Sequence, residues 1–325
     1  QAKAILGNKV VAFDGRPFMQ VRQIMNQYTG GAEETRDMRL PFALESPQLL
    51  HAAGVAKFDD RVILTVEDAS GARRDVTVTA LPPARHDSKT WPIDDFQPAP
   101  LAGEDKDWQS ALRGEAGNML FFADPSHEFV MRNLPAQHAL YVRFDINRST
   151  PTESIGTFTD AVEAEALKTK PAKVIIDMRR NGGGDYTMTA GFMRGFPSEL
   201  PGATFYVLEG PFTFSAAMTS AAFLKQAGGA RTVLVGSRPG DRIRFHSEGS
   251  DFCLPFSKIC MSARTAIHDY ATKSCTPIDE CFALDLFYPV AIKTFEPEIH
   301  APLTFAALRQ GHDPALDAIF ATKQR

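Results

Sequence analysis

The chain has 325 residues, 44% of them hydrophobic, which is enough for one large core or two smaller ones. Its 35 basic and 39 acidic side chains leave a net charge of -4, excluding a general electrostatic pull toward nucleic acid or an anionic membrane surface. No apolar run approaches the roughly 18 to 20 residues that cross a bilayer, and the opening Gln1-Ala2-Lys3-Ala4 has no signal-peptide core, so a soluble chain with any leader already removed is expected.

Gly7 to Gly15 opens with a short apolar run ending in Asp14-Gly15, which predicts a strand followed by a hairpin turn. Phe18, Val21, Ile24 and Met25 recur at helical spacing, and Tyr28-Thr29-Gly30-Gly31 stops the pattern. Arg61–Glu67 and Asp75–Leu81 predict two strands around a turn at Ser70-Gly71. Residues 1–82 therefore form a small β-rich module with one or two helices. Pro82, Pro83, Pro92, Pro98 and Pro100 then mark 83–107 as a linker, leaving 108–325 as a second domain. There, strands are predicted at Ala139–Phe144, at the apolar run Lys173–Met178, at Thr204–Leu208 and at Thr232–Gly236. Helices are predicted over 154–167, with Ile155, Phe158, Ala161 and Val162 on one face, and over 215–226. Strand and helix in alternation is α/β wiring with a mainly parallel sheet.

All four cysteines fall between Cys253 and Cys281. Three pairings are possible, of which Cys253–Cys260 with Cys275–Cys281 is favoured because each closes a short loop in a Pro-containing segment. Free buried thiols and a zinc site are the alternatives, the latter disfavoured by gaps of six, fourteen and five residues. Disulfides place the protein in an oxidising compartment, periplasmic or secreted.

Two loops could carry chemistry. Asn181-Gly182-Gly183-Gly184 follows a buried strand, where glycines can turn their N–H groups outward to hold an anion; a tight turn is the plain alternative. Ser215 stands between a strand and a run of small helix formers. It suits an N-cap, but a Ser at a helix start also has an accessible hydroxyl beside N–H groups able to stabilise an oxyanion. Both loops leave successive strands of a parallel sheet and so open on one edge.

The segment Ile176-Asp177-Met178-Arg179-Arg180-Asn181-Gly182-Gly183-Gly184 resembles the strand-Asp-Leu-Arg-x-Asn-x-Gly-Gly motif of the C-terminal processing (tail-specific) peptidases and their tricorn core relatives, and Thr213-Phe214-Ser215-Ala216-Ala217 resembles their nucleophile turn. Residues 7–81 are similar to the PDZ-like module of that family, and Glu296-Pro297-Glu298-Ile299 with Gly311-His312-Asp313-Pro314-Ala315-Leu316 to its ending. The resemblance implies a crotonase/ClpP-like β/α spiral catalytic core behind a PDZ-like module truncated at its start. It further implies a serine peptidase that acts on peptide or protein substrates, with Ser215 as nucleophile and the N–H groups of Gly183 and Ala216 as oxyanion hole.

The sequence departs from the family at the general base. Where the processing peptidases carry a Lys, this chain has Asp241 and Arg242 in Val235-Gly236-Ser237-Arg238-Pro239-Gly240-Asp241-Arg242. Arginine keeps its proton, and an exposed carboxylate is a weak base for a hydroxyl. Tricorn-like relatives use a His from a segment ahead of the PDZ-like module. Among local candidates His246 comes first, with Glu248 to orient it, and His268, followed by Asp269, comes second. His51, His86, His127, His138, His300 and His312 have no suggestive context. No metal-ligand spacing occurs, so neither metal nor cofactor is expected. The alternative function is a catalytically impaired scaffold that binds peptide termini by strand addition; a crotonase-type acyl-CoA enzyme is a third.

Overall fold

The structure, a computed structural model, describes residues 5–80, 97–99, 109–112, 114–258 and 260–322. The linker expected over 83–107 lies outside the described residues except for 97–99. The chain divides into two compact units, Gln1–Ser126 with Thr304–His312, and His127–Leu303 with Asp313–Arg325.

In the first unit a four-stranded antiparallel sheet has the order β2-β1-β3-β4, built from Lys9–Phe13, Arg16–Pro17, Arg61–Glu67 and Arg73–Thr79. The Asp14-Gly15 turn joins β1 to β2, both residues at positive φ (45° and 78°), as a tight hairpin requires. Asp14 also ties the turn down, its carboxylate accepting the N–H groups of Lys57 at 2.6 Å and Ile63 at 2.9 Å. Val62, Leu64 and Val66 alternate inward along β3 and meet Phe13, Val21, Met25, Leu40 and Leu50 in one core. Three helices cover that core, α1 (Phe18–Met25), α2 (Glu33–Leu44) and α3 (Pro47–Ala52). The last two carry weak sequence signals: Pro41 sits inside α2, and α3 has only six residues, started by a Ser46 cap that accepts the Leu49 N–H at 3.2 Å.

In the second unit a six-stranded sheet has the order β12-β9-β8-β7-β6-β5. Ala139–Phe144 (β6), Lys173–Asp177 (β7), Thr204–Glu209 (β8) and Thr232–Gly236 (β9) run parallel, with Ile299–His300 (β12) parallel on one edge and Phe129–Leu134 (β5) antiparallel on the other. Every residue of β6 and β7 is buried, as strands covered on both faces must be. Leu140, Val174, Ile176, Val207 and Leu234 pack beneath α4 (Ile155–Thr169), α5 (Thr187–Glu199) and α6 (Ala216–Gly228). Helix α5 contains Gly191, Gly195 and Pro197, poor helix formers that its buried Ala190, Phe192, Met193 and Phe196 outweigh. The whole is a mixed α/β fold with a largely parallel sheet.

A ten-by-ten-residue antiparallel hairpin follows, β10 (Arg244–Cys253) with β11 (Cys260–Asp269). Only Phe245 is buried along β10, so the alternation that betrays a strand is missing from its sequence. Cys253 faces Cys260 in register and is bonded to it; Cys275 is bonded to Cys281, the pairing favoured from spacing. A short helix, α7 (Ala283–Phe287), and helices α8 (Phe305–Arg309) and α9 (Pro314–Ala321) complete the described α-helices.

Candidate active site

Asp177 ends β7 fully buried and accepts the Tyr141 hydroxyl of β6 at 2.8 Å. Two residues on, Arg179 turns its guanidinium back, giving Asp177 its Nε at 3.0 Å and Nη2 at 2.6 Å. The other edge of the same fork meets Asp313, Nη1 at 3.0 Å and Nη2 at 2.7 Å. Burial opposes charge on Asp177, yet Arg179 holds its carboxyl below the ordinary carboxylate range. Asp313 also caps α9, accepting the N–H groups of Ala315 and Leu316 at 3.1 and 3.3 Å. A second ionic cluster lies alongside: Asp145 between Arg143 (2.9 Å) and Arg180 (3.1 Å), burial pushing its carboxyl up to about 6.

On this base stands the glycine loop. Asn181 binds it in two directions: its Oδ1 accepts the Gly183 N–H at 2.9 Å, and its carbonyl accepts the Phe214 N–H at 3.1 Å. Asn147 braces the outer side, its N–H donating to the Gly183 carbonyl at 2.9 Å and its carbonyl accepting Asp185 N–H at 2.8 Å. Its amide Nδ2 donates to Thr189 and Ser220 at 3.0 and 2.7 Å. Gly183 and Gly184 take φ of 114° and 138°. A Cβ on Gly183 would stand 2.8 Å from the Cβ of Ser215, 3.1 Å from the Phe214 carbonyl and 3.2 Å from the Ala216 nitrogen. The two loops foreseen as neighbours are in van der Waals contact at that point, and only glycine fits.

Ser215 precedes α6 with φ 51° and ψ -123°, a conformation that costs a side-chain-bearing residue on the order of 1–3 kcal/mol. Its side chain does not cap the helix and makes no hydrogen bond among the described residues. The loop around it is fixed by Thr213, whose hydroxyl donates to the Met178 carbonyl at 2.8 Å and accepts the Gly210 N–H at 3.0 Å. The Ala216 N–H, at the first position of α6, has no acceptor among the described residues. The Gly183 N–H, by contrast, is engaged by Asn181.

The remaining candidates separate. Gly240 returns the chain to the serine loop, donating its N–H to the Thr213 carbonyl at 2.9 Å, and the Arg242 N–H meets the Asp241 carboxylate at 2.8 Å. His246 is exposed, on the face of β10 opposite the buried Phe245. Glu248, foreseen as its orienting group, lies instead 3.6 Å from Nε2 of His268. The pairing register is the same on both sides of Glu248, but the backbone there takes φ 53°, followed by 112° at Gly249. His268 is 3% exposed, and its Nδ1 lies 2.9 Å from Asp285 rather than on the adjacent Asp269, which pairs with Arg244 at 3.3 Å. Asn147 and Asp285 carried no sequence signal as site residues, and Asp313, though in a recognisable helix-start segment, meets Arg179 across 134 residues.

No protein-family model matches the chain, and no curated protein matches it. Among solved structures, mature CPAF superimposes with a TM-score of 0.51 at 13% identity, covering 97% of this chain and 76% of that one. The photosystem II D1 C-terminal processing protease (13% identity, 95% of this chain, 68% of that one, TM-score 0.36) and the tricorn protease (10%, 96%, 24%, TM-score 0.35) are looser matches that carry no weight below. Structural neighbours are thus S41 C-terminal processing proteases and tricorn protease, at low sequence identity, and the likeness to CPAF is one of fold.

Proposed function

We propose that the chain is a serine peptidase of the C-terminal processing type, hydrolysing peptide bonds through an acyl-enzyme on Ser215. The observation that carries this reading is the Ser215 backbone: a strained serine at a helix start, uncapped and pressed against Gly183, has no structural return for its strain. In this reading the hydroxyl oxygen adds to the substrate carbonyl while its proton passes to water, the carbonyl π pair becomes an oxyanion received by the Ala216 N–H at the positive end of α6, and collapse to the acyl-enzyme expels the amine, which takes a proton from water. Gly183 joins as second donor when the oxyanion replaces Asn181 Oδ1 on its N–H. Residues 1–82 act as a PDZ-like module, 83–107 as linker and 108–325 as a crotonase/ClpP-like catalytic domain, on a peptide or protein substrate. Two disulfides, and the absence of any described helix long and apolar enough to cross a membrane, are compatible with an extracellular setting, periplasmic or secreted.

Treatment of the folded protein with a fluorophosphonate, followed by peptide mapping, tests the reading. Label on Ser215, lost in Ser215→Ala, is expected; a folded protein that takes no label there refutes it. One observation favours a second reading, a peptide-binding scaffold without turnover: no base is hydrogen-bonded to the Ser215 hydroxyl among the described residues. Peptide binding that is unaffected by Ser215→Ala, with no cleavage by the parent protein, selects it.

A further inference from the structure

One helical turn beyond Ser215 a buried polar chain begins. Thr219 directs both its N–H (3.2 Å) and its hydroxyl (3.4 Å) at the Ser215 carbonyl. The Thr219 hydroxyl lies 2.5 Å from the Tyr270 hydroxyl, which lies 3.1 Å from His268 Nδ1. That Nδ1 is also 2.9 Å from an oxygen of Asp285, whose other oxygen accepts the Tyr186 hydroxyl at 2.7 Å. Tyr270 and His268 are 1% and 3% exposed, and the imidazole stacks on Phe245 with centroids 5.1 Å apart. On its far side Nε2 is buried without a hydrogen-bond partner among the described residues.

The proton positions follow from the donors and acceptors. Nδ1 is hydrogen-bonded to the Tyr270 hydroxyl, whereas its 2.9 Å approach to Asp285 is an ionic contact without hydrogen-bond geometry, so a proton on Nδ1 is donated to the Tyr270 oxygen. Tyr270 then donates to Thr219, and Thr219 donates to the Ser215 carbonyl. The Ser215 carbonyl and the Ala216 N–H are two ends of one peptide group. Hydrogen bonds in series polarise one another, so density drawn to that oxygen makes the N–H at the other end a stronger donor. Nε2 is the ring nitrogen that faces away from the chain. The ionisable groups facing it are Asp285 from α7, Glu248 from β10 and the phenols of Tyr186 and Tyr270, while Asp269 is taken by Arg244. With the imidazole protonated, its charge cancels that of Asp285; without the proton the far end of the chain is left negative, against an oxyanion.

We propose that His268 is a positioning residue of the Ser215 site: through Tyr270 and Thr219 it polarises the Ser215–Ala216 peptide and strengthens Ala216 N–H as the oxyanion donor, most when its imidazole is protonated. The inference rests on Ser215 being the nucleophile. The test compares the rate of fluorophosphonate labelling at Ser215 across pH in the parent, Tyr270→Phe and His268→Gln proteins, with the His268 ring followed by NMR. Tyr270→Phe removes one hydroxyl and leaves the imidazole in place. The parent-to-variant rate ratio is expected to be about threefold to tenfold below the His268 midpoint and to fall as pH rises through it. His268→Gln should lose the same pH step. Thr219→Val cuts the chain at its next link and serves if Tyr270→Phe does not fold. A ratio that stays flat with pH while His268 titrates overturns the inference alone. A parent protein unlabelled at every pH removes the nucleophile reading and this inference together.

Discussion

Glu209 ends β8 six residues before Ser215, 1% exposed, with neither carboxyl oxygen hydrogen-bonded among the described residues. Burial drives its carboxyl well above the usual carboxylate range, Glu298 adds to the effect, and Lys225 opposes it too weakly to matter. The folded protein therefore holds a proton there that the unfolded chain releases above a pH of about 4.3. Folding takes up that proton, and each pH unit above the unfolded value lowers stability by about 1.4 kcal/mol for as long as the folded carboxyl stays neutral. Glu209→Gln keeps the shape and the unmet hydrogen bonds but does not titrate. Urea unfolding followed by circular dichroism should give curves for parent and variant that approach each other near pH 4 and separate as pH rises, with the variant the more stable at pH 7. Parallel stabilities from pH 5 to pH 7 would show that Glu209 is ionised in the folded state and would refute the reasoning.

Gly183→Ala should abolish labelling of Ser215, because the added methyl meets the serine Cβ at 2.8 Å and the backbone φ of 114° resists a side chain. Gly191→Ala, on the exposed face of α5 with nothing within 4 Å, should instead raise stability by about 0.5–1 kcal/mol and leave labelling unchanged. Arg179→Met strands two buried carboxylates and is expected to cost about 3–5 kcal/mol in urea unfolding. Asp177 is held low by that arginine, so its contribution is present above the unfolded carboxylate value and lost as pH falls through the folded one; the variant should lose the acid limb of this dependence. Alkylation without reductant should modify no cysteine, and Cys253→Ser with Cys260→Ser should cost about 2 kcal/mol through a looser hairpin tip.

The parallel core was legible in the sequence because β6 to β9 are continuous apolar runs separated by turn-rich loops, and burial on both faces writes itself as hydrophobicity. Asp14-Gly15 announced its hairpin for a similarly local reason. The loop pair Gly183 and Ser215 was legible too, since glycine at positive φ and serine at a helix start are local demands. Helices α2 and α5 were not, because their prolines and glycines contradict a propensity that packing overrides. The hairpin β10–β11 was invisible for lack of a buried face. The environment of His268 was beyond local inspection: the neighbouring Asp269 suggested itself, but the partner is Asp285, supplied by another element. Arg179 shows the same limit, since one of its carboxylates lies two residues away and the other 134.

That last separation bears on how the protein comes into being. While the chain is still leaving the ribosome, β7 and the glycine loop are exposed long before residue 313, and Arg179 has only Asp177 to hold it. The clamp that fixes the loop closes only when nearly all of the chain described is available. Fastening the loop to Asp313 makes its final geometry wait for a residue that arrives 134 positions later, a dependence built from one arginine and the order in which residues arrive.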